Sequence, residues 1–275
     1  MKKLSIIIPV YNEAPFLRRC LDSVSNAPNE VEIIVIDDAS TDGSVEICRE
    51  YEKKDDPRFR FVYFMLNRGV SYARNYGLSM AEGKYVTFLD SDDEMRVGGI
   101  PSMLYHVDNT DKPVIQFNHS RYYQRTGKIV TKYVNLKGEY GYENLPVLWC
   151  MVWNKIYLRE FIVKNLITFK DRLPFGEDEL FNLRCLRCHP TIYCVDEITV
   201  MKHFENPNSI VHTLNKEKIL GQAEALTRLL REDCSDEFAE LVRKVLAEHW
   251  SSEPYKSNIR RGADMRGGAN GKVDG

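Results

Sequence analysis

The chain has 275 residues, and its 38 Lys plus Arg against 40 Asp plus Glu leave a formal charge of −2. That near-neutral balance disfavours bare nucleic acid as the main partner. With 43% hydrophobic residues the chain has ample material for a core, yet no run approaches the ~18 apolar residues of a spanning helix.

The elements follow in chain order. Leu4-Ser5-Ile6-Ile7-Ile8 is a short apolar run that stops at Pro9 with no small-residue cleavage site, so it reads as a buried strand and not a signal peptide. Residues 15–25 place Phe16, Leu17, Cys20, Leu21 and Val24 on one helical face. A second apolar strand is predicted over 31–36. Ser40, Thr41 and Asp42 are N-cap candidates for a helix running to about residue 54. A strand over 61–64, a helix over 70–81 with Gly83 as its C′ residue, and a strand over 85–89 complete the first half. Strands separated by helices of this length imply βαβ units and a mostly parallel sheet.

Beyond residue 110 the pattern loosens. Segments 114–118 and 128–134 alternate like strands. Segments 142–149, 155–163 and 178–188 read as helices, and 192–195 and 198–203 as short strands. Two amphipathic helices are predicted over 216–250, with Ser235 as an N-cap between them. They are candidates for self-packing, for a homodimer contact, or for docking on a membrane surface. From about residue 251 the chain turns polar and Gly-rich, the composition of a flexible tail, and its scattered arginines are a weak pointer to acidic lipid.

Seven cysteines, an odd count without a secretion signal, read as reduced thiols in a cytoplasmic protein. Cys185 and Cys188 form a lone CxxC. With no second ligand pair it reads as ordinary packed thiols.

Ligands of an open parallel sheet bind outside the carboxyl ends of its strands. There the sequence sets Tyr11 and Glu13 after the first strand, Asp37 and Asp38 after the second, and Asp90, Asp92 and Asp93 after the fourth. Up to six carboxylates at one edge repel and need a cation, and an all-oxygen set favours Mg²⁺ or Mn²⁺. A diphosphate bridged by such a metal is the natural occupant. There is no GxGxxG after the first strand and no GxxxxGK[ST] anywhere, which disfavours dinucleotide and P-loop binding.

Four segments resemble family 2 glycosyltransferases in order and spacing: Ser5-Ile6-Ile7-Ile8-Pro9-Val10-Tyr11-Asn12-Glu13, Val35-Ile36-Asp37-Asp38-Ala39-Ser40, Asn67-Arg68-Gly69-Val70-Ser71-Tyr72-Ala73-Arg74-Asn75, and Gly83 through Asp93. Val152-Trp153-Asn154-Lys155 and Gly176-Glu177-Asp178-Glu179 are similar to the family's acceptor half. The resemblance covers roughly residues 4–210. It implies an α/β GT-A fold, with a Rossmann-like, mostly parallel central sheet flanked by helices and followed here by a helical extension. The implied organisation is a catalytic domain over 1–215, split into a nucleotide-sugar half (1–110) and an acceptor half (111–215), then the extension (216–250) and tail (251–275).

The resemblance also implies roles. Pro9, Tyr11 and Glu13 would line the base pocket, and Asp38, helped by Asp37, would accept a hydrogen bond from the base. Arg74 would lie near base or diphosphate. Asp90 and Ser91 would meet the nucleotide-sugar, with Asp92, Asp90 and a late His203 on the metal. Asp178 would act as general base beside Glu177, since a sugar hydroxyl needs a proton acceptor as the C1–O bond breaks. Trp153 is either a sugar-stacking ring or core.

Two departures stand out. Ala39 replaces the glycine usual after the paired aspartates, and Arg96-Val97-Gly98-Gly99 replaces an aromatic and Pro-containing stretch. The QxxRW motif of processive synthases is absent. The reading is an inverting, metal-dependent transferase that moves one sugar from a nucleotide-diphosphate donor, UDP-linked, to a glycan or lipid-linked acceptor in cell-surface glycan synthesis. The expected location is the cytoplasm, with the inner membrane face as the place for peripheral association. The alternatives are a non-catalytic nucleotide-sugar-binding protein and Mg²⁺-dependent phosphoryl transfer. The latter needs a nucleophilic Asp with a Lys after a later strand, a pattern not evident here.

Overall fold

The computed structural model describes residues 1–123, 126–132, 137–141, 151–173 and 175–203, together with 221, 224–229, 238–240 and 242–243. The predicted helix over 142–149, the Ser235 cap and the tail lie outside the described residues, as does most of 216–250. The described residues at 224–229 and 238–240 are helical.

β1 (Leu4–Val10) and β2 (Val31–Asp37) are buried along their whole length, which is why each reads as an unbroken apolar run. They pair in parallel. β2 pairs with β3 (Phe59–Tyr63) on its outer side, and β1 with β4 (Tyr85–Phe88) on the inner. The crossovers are supplied by α1 (Ala14–Val24), α2 (Ser44–Glu52) and α3 (Val70–Met80). Successive side chains of β1 enter opposite faces: Ile7 joins one core cluster, Ile6 and Ile8 the other. All three strand-to-helix loops therefore open at one edge.

The remaining elements are β5 (Glu94–Met95), α4 (Gly99–Asn109), β6 (Val114–Tyr123), β7 (Lys128–Lys132), β8 (Gly138–Tyr140), β9 (Lys155–Leu158), α5 (Arg159–Lys164), α6 (Glu177–Arg187) and β10 (Ile192–His203). The sheet runs β3-β2-β1-β4-β9-β6-β10-β5, with β7 beside β6 and β8 beside β10. β9 is antiparallel to both β4 and β6, and β10 is parallel to β6. The sheet is thus parallel through its first four strands and mixed beyond them.

Several expectations change. Segment 155–163 is not one helix: 155–158 is the strand β9, and only 159–164 is helical. Ile156 and Tyr157 bury into opposite core clusters, so the apolar run carries no helical stripe. The two short strands at 192–203 are one strand, β10, with its register shifted around the exposed Asp196 and Glu197. Helix α4 goes unpredicted because Gly98-Gly99 and Pro101 look like a loop. Gly98 in fact caps the helix at φ +84°, and Pro101 sits in the first turn, where its missing N–H costs nothing.

Helix α2 starts at Ser44 with Gly43 as its N-cap. Gly83 is not a C′ glycine either. Ala81 ends α3 in an extended conformation, and a Cβ on Gly83 would lie 2.6 Å from the Ser5 nitrogen.

Candidate active site

The loops after β1 and β2 are sewn to each other. Asn12 sits at φ +55° and its Oδ1 accepts the Thr41 N–H at 2.8 Å, while its own N–H donates to Ser40 Oγ at 3.0 Å. The Glu13 N–H donates to Ser44 Oγ, and the Ala14 N–H to Asp42. Tyr11 stands 47% exposed above this junction, Pro9 is buried within β1, and Glu13 is half-buried at the start of α1.

Ala39 adopts φ +63°, the left-handed region that explains why glycine is usual there. Asp37 Oδ1 accepts the Ser40 N–H, and its buried Oδ2 has no hydrogen-bond partner. Both oxygens of Asp38 are engaged, by the Arg68 N–H at 2.8 Å and the Gly69 N–H at 2.7 Å. Burial pushes the Asp38 carboxyl up against the pull of those two donors. Asp38 thus ties the start of α3 to β2.

Arg74 is the hub. It projects from α3, is 3% exposed, and grips three carboxylates: Nη1 donates to Asp178 Oδ1 at 2.7 Å and Glu177 Oε1 at 3.0 Å, Nη2 to Asp90 Oδ1 at 2.8 Å. Its neighbour Asn75 holds the loop before α6 through Phe169, as donor and acceptor at once. Glu177 and Asp178 open α6 after Gly176 at φ +84°, so they also face the positive end of that helix. Burial pushes the Asp178 carboxyl up to about 7; Arg74 pulls it down, while Glu177 and Asp90 push it further up. Its second oxygen takes the Val152 N–H at 3.3 Å.

Asp90, Asp92 and Asp93 bring carboxylate oxygens within 4.8 Å of one another. This all-oxygen set fits a hard cation such as Mg²⁺ or Mn²⁺. Ser91 is buried between the first two. Of the six carboxylates that the sequence sets at this edge, these three converge, while both oxygens of Asp38 and one of Asp37 are spent on backbone N–H groups.

His203 is not in the cluster. Its ring lies 3.5 Å from Glu94 and edge-on to Tyr122, while its backbone N–H donates to Asp93 Oδ1 at 2.8 Å. Trp153 is 2% exposed and packed edge-on to His119, which answers the open question in favour of the core.

Sequence reasoning misses Lys202. Its Nζ lies 2.8 Å from Asp93 Oδ2, 3.4 Å from Asp90 Oδ2 and 5.4 Å from the centre of the Trp153 ring. Burial works against its charge, and the carboxylates of Asp93, Asp92 and Asp90 outweigh burial, so the ammonium stays protonated. The available signal is a lysine inside an otherwise apolar strand end, Val200-Met201-Lys202.

The family model of glycosyl transferase family 2 matches residues 5–165. The chain belongs to that family. It is 29% identical over 218 residues to an uncharacterized glycosyltransferase, EpsJ of Bacillus subtilis, covering 75% of this chain and 62% of that relative, less than two-thirds of its length. The fold is similar to S. aureus TarS in complex with UDP-GlcNAc, at TM-score 0.77 and 22% identity, covering 90% of this chain and 73% of that one. It is also similar to the mannosyltransferase PcManGT of Pyrobaculum calidifontis in complex with GDP-Man and Mn²⁺, at TM-score 0.57 and 16% identity, covering 96% and 80%. This likeness establishes the GT-A fold. No helix among the described residues is long and apolar enough to cross a membrane.

Proposed function

We propose that the chain is an inverting, metal-dependent glycosyltransferase that moves a sugar from a UDP-linked donor to a glycan or lipid-linked saccharide acceptor. The observation that carries this reading is the Arg74 bridge, which fixes the carboxylate of Asp178 against the Asp90 end of the acidic cluster. A proton acceptor and a diphosphate-metal site are thereby held at one distance from each other, as an in-line displacement at the sugar C1 requires.

In this reading Asp178 takes the acceptor hydroxyl proton as the new C1–O bond forms and the bond to the diphosphate breaks, giving inversion. Its raised pKa, about 7, suits a base working near neutrality. Glu177 and Arg74 orient it. Asp90, Asp92 and Asp93 would hold Mg²⁺ or Mn²⁺, which when bound offsets the charge developing on the leaving diphosphate. Tyr11 offers its exposed ring to the base, with Pro9, Glu13, Asp37 and Asp38 shaping the floor and Ser91 beside the ribose. The UDP-GlcNAc and GDP-Man held by the two structural neighbours support a nucleotide-sugar donor and leave the base to experiment.

The test is calorimetric titration of UDP and GDP with and without Mn²⁺, on wild type and Asp92→Ala. Mn²⁺-dependent UDP binding that Asp92→Ala abolishes is the expected result. Preference for GDP overturns the donor, and binding of neither nucleotide to folded protein overturns the transferase reading in favour of a non-catalytic one.

A further inference from the structure

The acidic cluster already carries two fixed positive charges. Lys202 reaches Asp93 and Asp90 from one side, and Arg74 reaches Asp90 from the other. Asp93 is fully buried, and its other oxygen is held by the His203 N–H, so it cannot turn away from Lys202. Nor can the backbone of Lys202 move off. β10 is laddered to β6 at Lys202–Arg121 and to β5 at the preceding pair, Met201–Glu94. The Trp153 ring beneath the ammonium closes the apolar side.

A divalent ion entering this cluster alone meets carboxylates whose charge Lys202 and Arg74 already offset in part, with an ammonium among the atoms it must approach. Charges a few ångströms apart in a partly buried site interact strongly enough to shift affinity by at least about tenfold. A diphosphate reverses the balance, since it brings negative charge that both cations can share.

We propose that Lys202 is a resident cation that makes divalent-metal binding at Asp90, Asp92 and Asp93 conditional on the donor's diphosphate. The inference rests on the reading of this cluster as a donor site. Lys202 is in this sense a positioning residue: it holds the carboxylates gathered before the donor arrives, and afterwards serves as a second cation beside the leaving group.

The experiment measures Mn²⁺ affinity, by calorimetry and by the spin-resonance signal of free Mn²⁺, with and without UDP. The proteins are wild type, Lys202→Gln, Lys202→Met and Lys202→Arg, each checked for folding by circular dichroism. Glutamine keeps a neutral hydrogen bond to Asp93, so it tests the charge even where methionine fails to fold. The expected result is that Lys202→Gln and Lys202→Met bind Mn²⁺ alone at least about tenfold more tightly than wild type, with Lys202→Arg unchanged. A merely structural role would weaken metal binding instead.

Metal-alone affinity that is unchanged or reduced in both neutral variants overturns the proposal. So does a wild type that binds Mn²⁺ equally well with and without UDP. Failure of UDP to bind any of the proteins in the presence of Mn²⁺ overturns the donor reading instead, and the two failures are separately legible.

Discussion

Arg74 and Asp178 meet at 2.7 Å although 104 residues separate them, and the same guanidinium holds Asp90. The fork geometry makes this bridge possible: one planar group serves carboxylates on two different elements at once. Arg74→Lys keeps the charge and loses the fork. We expect it to lower kcat by about 100-fold or more through lost orientation. Because the Arg74 charge pulls the Asp178 carboxyl down, the acid limb of the kcat–pH profile should stay near its wild-type place in this variant and move to higher pH in Arg74→Gln, which removes the charge.

With Asp178 as the proposed base, the same carboxyl should set the pH dependence of the wild type. Asp178 is active as a base only when ionised, and burial has pushed its pKa up to about 7. Transfer should therefore rise with pH through neutrality and level off above it, the sense opposite to loss of a protonated acid. Asp178→Asn should lower kcat by roughly 100-fold to 10,000-fold and flatten that limb. A profile measured on both proteins at saturating donor decides it.

Metal removal is a separate prediction. Chelation should abolish transfer, and Mn²⁺ or Mg²⁺ should restore it where Zn²⁺ does not, because the three proposed ligand side chains offer only carboxylate oxygens. Asp92→Asn should raise the metal concentration needed for half-maximal activity by at least about tenfold through loss of one charged ligand. An enzyme fully active in excess chelator contradicts this.

Two glycines separate steric causes that look alike in sequence. A Cβ on Gly77 meets side chains, the Ile7 Cγ2 methyl at 2.5 Å and the Ile36 Cδ1 tip at 2.9 Å, whose rotation gives some freedom to adjust. On Gly83 it meets the backbone of Ser5 and Leu4, which has none. Gly77→Ala should cost about 1–2 kcal/mol and Gly83→Ala about 3 kcal/mol or more by denaturant unfolding.

Ala39 runs the argument in reverse. At φ +63° an alanine bears a backbone penalty that glycine lacks, roughly 1–2 kcal/mol, partly offset by the greater freedom of glycine in the unfolded chain. Ala39→Gly should raise stability by about 0.5 kcal/mol, visible as a small rise in Tm.

The first half of the fold was legible because β1, β2 and β4 are buried on both faces and each helix buries one stripe, so that pattern alone identifies them. The motif residues landed at one sheet edge for the same reason. What stayed hidden depended on tertiary partners. β9 is a strand only because β4 and β6 leave a gap between them, and its four residues carry no local signal for that. His203 sits at a strand end, and no spacing rule could tell that its ring turns to Glu94 while the lysine before it faces the cluster. Asp38 and Asp92 look alike as acidic residues after strands. Only the backbone N–H groups of Arg68 and Gly69 reveal that the first fastens a loop.

The position of β9 has a consequence for protein engineering. This strand, drawn from the middle of the chain, lies between β4 and β6 and completes the hydrogen bonding of both. A fragment ending near residue 110 would present the flank of β4 as an open edge and is expected to aggregate. Chimaeras that graft a relative's later half onto residues 1–110 must import their own equivalent of β9, matched in register to Tyr85 and Val86. The useful crossover point is therefore set by a strand boundary, and specificity in this scaffold is exchangeable only in units that leave the sheet closed.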